Sequence, residues 1–286
     1  MINKAKVGQK ILLLSFLLLS CWQGKGQDDF SKTIGRNSKI TYLDLLRQIF
    51  PNIEKDGTAH NTAEIRTRVD SDETESYEQT MKILSAQPNW IGTEKGQRLL
   101  LTIKVEGGEL NDFMWGELNL IALYKGGTKP QLLDVVDVSA DRENYYWGEL
   151  RVNPKMNLTV YHFSHLNAGE DFHAYSFFYP ENDKIQETLK EFPLLYSGSS
   201  CQTRIEETGK FSAVPNAKSG YHDIVFKVKA TGTRLGKDCD SIKSKSVKNF
   251  VFRMTWQNGT YKFADGGAEL KRLRREEKRL GFDNNQ

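Results

Sequence analysis

Three of the five histidines, His162, His165 and His173, fall within twelve residues, together with Asp171. Imidazole and carboxylate are the side chains that hold a transition metal or pass a proton near neutral pH. If residues 158–165 and 172–179 pair as a hairpin, His173 lies across from His162 or His165, depending on register. It cannot easily face both, because positions 162 and 165 point to opposite sides of a strand. Two readings follow. One is a two-His-plus-Asp metal site, which would make the chain a metalloprotein or a hydrolase that uses a metal-bound water. The other is a set of polar residues on a hairpin rim. Stable zinc sites draw on three or four convergent protein ligands, so no cofactor is expected.

A second group is aromatic. Tyr145, Tyr146 and Trp147 follow Asp134, Asp137 and Asp141. Exposed rings beside acids can hold a sugar or a cation, and core packing explains alternate members of such a run equally well. The common catalytic signatures H-E-x-x-H, G-x-x-x-x-G-K-[ST], G-x-S-x-G and S-x-x-K do not occur. Gly198-Ser199-Ser200 lacks the spacing of a nucleophile elbow, and the acidic run 70–76 lacks the glycine turn and ligand spacing of a Ca²⁺ loop. The expectation is a binding or structural module, with no catalytic residue assigned. A hydrolase or metalloprotein assembled around His162, His165 and His173 is the alternative.

The chain begins with a basic stretch carrying Lys4, Lys6 and Lys10, followed by I-L-L-L-S-F-L-L-L-S. A charged start before about ten apolar residues has the shape of a signal peptide and is too short to span a bilayer as a helix. The run ends in Leu18-Leu19-Ser20-Cys21, which resembles the lipobox of bacterial lipoproteins. That resemblance covers the signal segment alone. It implies cleavage before Cys21, a lipid on that thiol, and a body tethered to the cell envelope, at the outer membrane or on a periplasmic face. The rival is ordinary cleavage a few residues later.

Those three lysines account for the whole excess of 40 basic over 37 acidic residues. The processed chain is electroneutral, so no global field attracts nucleic acid. The partners expected are the membrane, through the anchor, and a protein or a glycan. With Cys21 lipidated, Cys201 and Cys239 remain, and an exported chain is expected to join them as a disulfide.

Around these groups the sequence predicts a mainly β fold of antiparallel sheets, sandwich or meander, with short helices near the N- and C-termini. Residues 1–20 form the signal and 21–38 a tether. Residues 39–180 form a β-rich domain that opens with an amphipathic helix over 40–50. Residues 181–265 form a second β unit, and 266–286 a charged, solvated helix and tail. Short β-branched and aromatic runs punctuated by Gly, Asn and Pro mark the strands. Asn258-Gly259 is the strongest hairpin signal. The tetrapeptide W-G-E-L occurs at 115–118 and 147–150, a hint of paired or repeated strands.

Overall fold

A computed structural model describes residues 29–35, 38–93, 95–107, 117–139, 144–167 and 170–282. The signal segment and Cys21 lie outside the described residues. Among those described, no helix is long and apolar enough to cross a membrane.

The chain runs α1 (Tyr42–Leu46), β1 (Thr58–Ala59), β2 (Ile65–Arg66), β3 (Thr74–Glu75), β4 (Met81–Thr93), β5 (Gly96–Gly107), β6 (Glu117–Lys125) and β7 (Gln131–Asp137). These strands form one sheet in the order β1-β4-β5-β6-β7-β2-β3, antiparallel except for the β2–β7 pair. A second, wholly antiparallel sheet follows in sequence order: β8 (Asn144–Asn153), β9 (Met156–Asn167), β10 (Glu170–Glu181), β11 (Lys184–Ser199), β12 (Thr203–Val214), β13 (Asp223–Leu235), β14 (Ile242–Gln257) and β15 (Thr260–Phe263). Helix α2 (Ala268–Arg279) ends the described chain. The protein is mainly β with a short helix near each end, as the sequence predicts.

Both faces of the first sheet are covered. One packs against α1, where Leu45, Leu46, Ile49 and Phe50 meet Leu99, Leu101 and Leu120. Thr41 caps α1 in a capping box with Asp44, and the turn that follows tightens into short-range bonds before Pro51. The helix is therefore shorter than the predicted 40–50. The other face buries Leu100, Ile121, Leu123 and Val136 against Tyr161, Phe178 and Ile185 of the second sheet. Burial on both sides explains the near-continuous apolar runs of β5 and β6.

The domain boundaries need correction. Phe30 is fully buried and Ile34 joins the same core, so part of the predicted tether belongs to the folded body. The boundary placed at 180/181 is a hairpin: β10 pairs with β11 across a turn at Asn182 and Asp183, both at positive φ. The sheets divide instead between β7 and β8. The two W-G-E-L copies mark no pair, since residues 117–118 lie in one sheet and 147–150 in the other.

The second sheet folds over on itself. β11 and β12 pair only where Ser197–Ser199 meets Arg204–Glu206, and then part. Phe192 and Phe226 close the interior at 4.1 Å between ring centroids. Thr260 Oγ1 donates to Thr188 O (2.9 Å) where β15 returns to β11. The Asn258-Gly259 turn forms as expected, with positive φ at both residues. Cys201 and Cys239 are bonded, with Cα atoms 4.6 Å apart. They tie the β11–β12 turn to the β13–β14 turn.

Helix α2 is packed where a solvated helix was expected. Leu273 enters the second-sheet core, and Leu280 and Phe282 pack on Tyr196 and Ile205. Arg274 pairs with Glu277, Arg272 with Glu269 and Arg279 with Glu276.

The two sheets meet main chain to main chain at one point. A Cβ on Gly92 would stand 2.4 Å from Lys155 O in the β8–β9 turn, so only glycine fits there. Beside this contact Arg98 Nη2 donates to Asp183 Oδ1 (2.9 Å), and Arg66 pairs with Asp134.

Candidate functional site

β8, β9 and β10 lie side by side, and their register sets Tyr145 opposite His162 and His162 opposite Tyr175. Ring centroids are 4.7 Å apart for Tyr145–His162 and 4.9 Å for His162–Tyr175. His173 falls opposite Ser164 and reaches His162 diagonally, a register not foreseen from the sequence. His162 Nε2 lies 2.9 Å from His173 Nδ1, and His173 Nε2 lies 3.1 Å from Asp171 Oδ2. The result is a linear chain, His162–His173–Asp171. His165 pairs with Phe172 on the other side of the strand and stays out of it, as strand parity requires.

By strand alternation Trp147 shares the face of Tyr145, just where a β-bulge interrupts the ladder between Tyr146 and Gly148. Its ring lies 6.0 Å from Tyr175 and 4.9 Å from Phe211 of β12. Tyr145 and Trp147 remain 48% and 47% exposed. Tyr146 separates from them and packs at the seam between the sheets, 6.2 Å from Tyr161. The imidazole and aromatic groups, separate in the sequence reading, therefore form one site, without Tyr146 and His165.

The hydrogen-bond chain has one assignment that leaves no donor unpaired. His173 Nε2–H donates to Asp171, and His162 Nε2–H donates to His173 Nδ1. That leaves His162 Nδ1 as a bare acceptor, and it is buried without a partner. Burial of His162, with His173 adding to it, pushes its pKa down to about 4. His162 is neutral at neutral pH. The nitrogens point along the chain and do not converge on a common point. Among the described residues no group of three or more His, Cys, Asp or Glu side chains is arranged to hold a metal ion.

Where β11 and β12 part, a cleft of roughly 450 Å³ opens, lined by Asp171, His173 and Tyr196 of β10 and β11 and by Arg204, Glu206 and Glu207 of β12. Glu207 is buried, with Oε1 unpartnered. It shares a hydrogen bond with Glu277 of α2, whose two carboxylate oxygens each also accept from Arg274 Nη1 (2.8 and 2.9 Å). Burial, and then the neighbouring Glu277, raise the Glu207 carboxyl well above the usual carboxylate range. Sequence reasoning missed Glu207, Tyr196 and Arg204. The available signal was parity: Glu207 stands two residues after buried Ile205, at an inward position of β12.

The chain matches no family model, no curated protein and no solved structure. The reading of the site therefore rests on its own chemistry.

Proposed function

We propose that the chain is an exported bacterial lipoprotein, held at the cell envelope by lipid on Cys21, whose β-rich body binds a partner and does not catalyse a reaction. The N-terminal pattern ending in Leu18-Leu19-Ser20-Cys21 supports the anchor. The observation that carries the binding role is the state of the imidazoles. His162 Nε2 and both His173 nitrogens are engaged along the chain, and His162 Nδ1 is sealed from solvent. A general base must reach the proton that it removes, and here no imidazole nitrogen is offered.

Of the two partner classes, a glycan fits the site better. Tyr145 and Trp147 present half-exposed ring faces, and Asp171, Arg204 and Glu206 supply polar groups in the adjoining cleft. Flat rings beside hydrogen-bonding side chains suit the apolar face and the hydroxyls of a sugar. The hydrolase alternative has one observation in its favour, the neutral acid Glu207 in the same cleft as Asp171.

The test is calorimetric titration of the mature chain, carrying Cys21→Ser, with soluble fragments of envelope glycans. The binding reading expects saturable association that falls at least tenfold in Tyr145→Ala and Trp147→Ala. Unchanged affinity in both variants would remove the site. Release of new reducing ends during the titration would favour the hydrolase. Mass spectrometry of the mature N-terminus decides the anchor, which an unmodified Cys21 would exclude.

A further inference from the structure

The outward face of β12, β13 and β14 carries most of its charge in one sign. In the pairing register Lys210 stands directly opposite Lys227, and Thr208 opposite Lys229. Across the next ladder Lys227 faces Val251, Lys229 faces Asn249, and Thr233 links Arg204 to Lys245. All five of these basic side chains are exposed, and among the described residues none has an ion-pair partner. Glu206 is the one exposed acid on this face; Asp223 is buried and paired with Arg253. Like charges directly opposite on a sheet are destabilising, so the Lys210–Lys227 pair weakens the free protein. In a processed chain with no net charge, this concentration is local.

Apolar side chains stand among the lysines. Val247 and Val251 are 50% and 51% exposed on the same face of β14. A soluble polyanion would satisfy the ammonium groups and leave the valines in water. A bilayer surface meets both, since phosphate headgroups pair with the lysines while the interface takes up the apolar groups. From this combination we infer that the β12–β14 face lies on anionic lipid headgroups and forms a second membrane contact, independent of the acyl anchor. The inference shares with the proposed function the location at a membrane and, at the edge of the patch, Arg204 and Glu206; Lys210, Lys227 and Lys229 belong to it alone.

The experiment is co-sedimentation of the unacylated mature chain, Cys21→Ser, with vesicles of phosphatidylcholine alone or with about one third phosphatidylglycerol. The expected result is binding to the anionic vesicles only, and release by about 0.5 M salt, where screening shortens the reach of each charge to a few ångströms. Each basic residue at such a surface changes partitioning about fivefold. Lys210→Glu with Lys227→Glu is therefore expected to weaken binding about 25-fold or more. Lys55→Glu with Lys129→Glu, exposed lysines in turns next to the first sheet, is the control and should leave binding unchanged. Circular dichroism establishes that both variants fold. Failure to bind anionic vesicles, or equal loss in the two double variants, overturns the inference. So does binding to a soluble sulfated polysaccharide without binding to vesicles, which would identify a polyanion as the partner. Because no lipid is attached in this assay, the result stands whether or not Cys21 is acylated in the cell.

Discussion

Arg66 and Asp134 form a bidentate ion pair, with Nη2 to Oδ2 at 2.6 Å and Nε to Oδ1 at 3.1 Å, and both are more than nine-tenths buried. Asp134 Oδ2 also accepts the Ile185 N–H (2.7 Å), and Arg66 Nη2 donates to Ile185 O (2.9 Å). Both partners belong to the first sheet and Ile185 to the second, so one pair latches the two together. Removing one member leaves an unpaired buried charge, which costs about 3–5 kcal/mol. Asp134→Ala should lose that much in urea unfolding. Arg66→Met with Asp134→Leu should lose less than the sum of the two single variants. Strict additivity would show that the pair does not act as a unit.

His162 gives a pH dependence with a definite sign. Its folded pKa, about 4, lies below the ordinary value of 6.5, so between these limits the unfolded chain binds the extra proton. Stability should be full above about pH 6.5 and fall as the pH drops toward 4. His162→Gln should flatten this slope. Imidazole proton resonances followed by NMR should show one histidine that remains neutral well below pH 6.

Glu207 should act in the opposite direction. Its carboxyl is raised in the folded protein, so the unfolded chain releases a proton that the native state keeps. This contribution is complete below the ordinary carboxyl range and is lost as the pH rises through the folded pKa. Glu207→Gln keeps the neutral form, and should gain stability over the parent progressively from pH 5 to pH 9. A constant difference across that range would mean that Glu207 is already ionised in the fold.

The Cys201–Cys239 bridge closes a loop of 38 residues in sequence separation. In the chain-entropy view a loop of that size is stabilised by about 3–4 kcal/mol. Reduction, or Cys201→Ser with Cys239→Ser, should lower the urea midpoint accordingly. Thiol titration of the unfolded, unreduced protein should find neither cysteine free.

The strands from residue 98 to 179 were legible because short apolar runs alternate with Gly and Asn turns. β4 was not. It carries Pro88, usually a sign against a strand, yet β1 covers only Met81 and Lys82, and beyond them β4 has no partner on that side, where proline is tolerated. A bulge at Leu84 also breaks its alternation. Parity correctly kept His165 away from His162. Alternation likewise puts Tyr145 and Trp147 on one face and Tyr146 on the other; that the first face carries the imidazoles and the second forms the seam is set by the sheet pairing. Strand parity put Glu207 on the inward side of β12, but its partner Glu277 lies seventy residues on and meets it only when α2 folds onto the sheet. The helix itself was readable, but its burial was not, because Leu270, Leu273 and Leu280 form a narrow stripe interrupted by Glu277.

The contact at Gly92 fixes more than a local fit. Side chains in an interface can change rotamer and repack when a neighbour mutates, so the spacing of an interface built from them can drift over evolutionary time. Here the backbone of β4 at Gly92 rests on the Lys155 carbonyl with no side chain between them. The separation of the sheets at this point is gauged by covalent backbone dimensions, which do not vary with sequence. Substitutions in the surrounding apolar cluster can then alter how well the seam is filled without changing that separation. Both walls of the imidazole–aromatic site belong to the second sheet, so repacking of the seam around this contact should leave the site's own geometry in place.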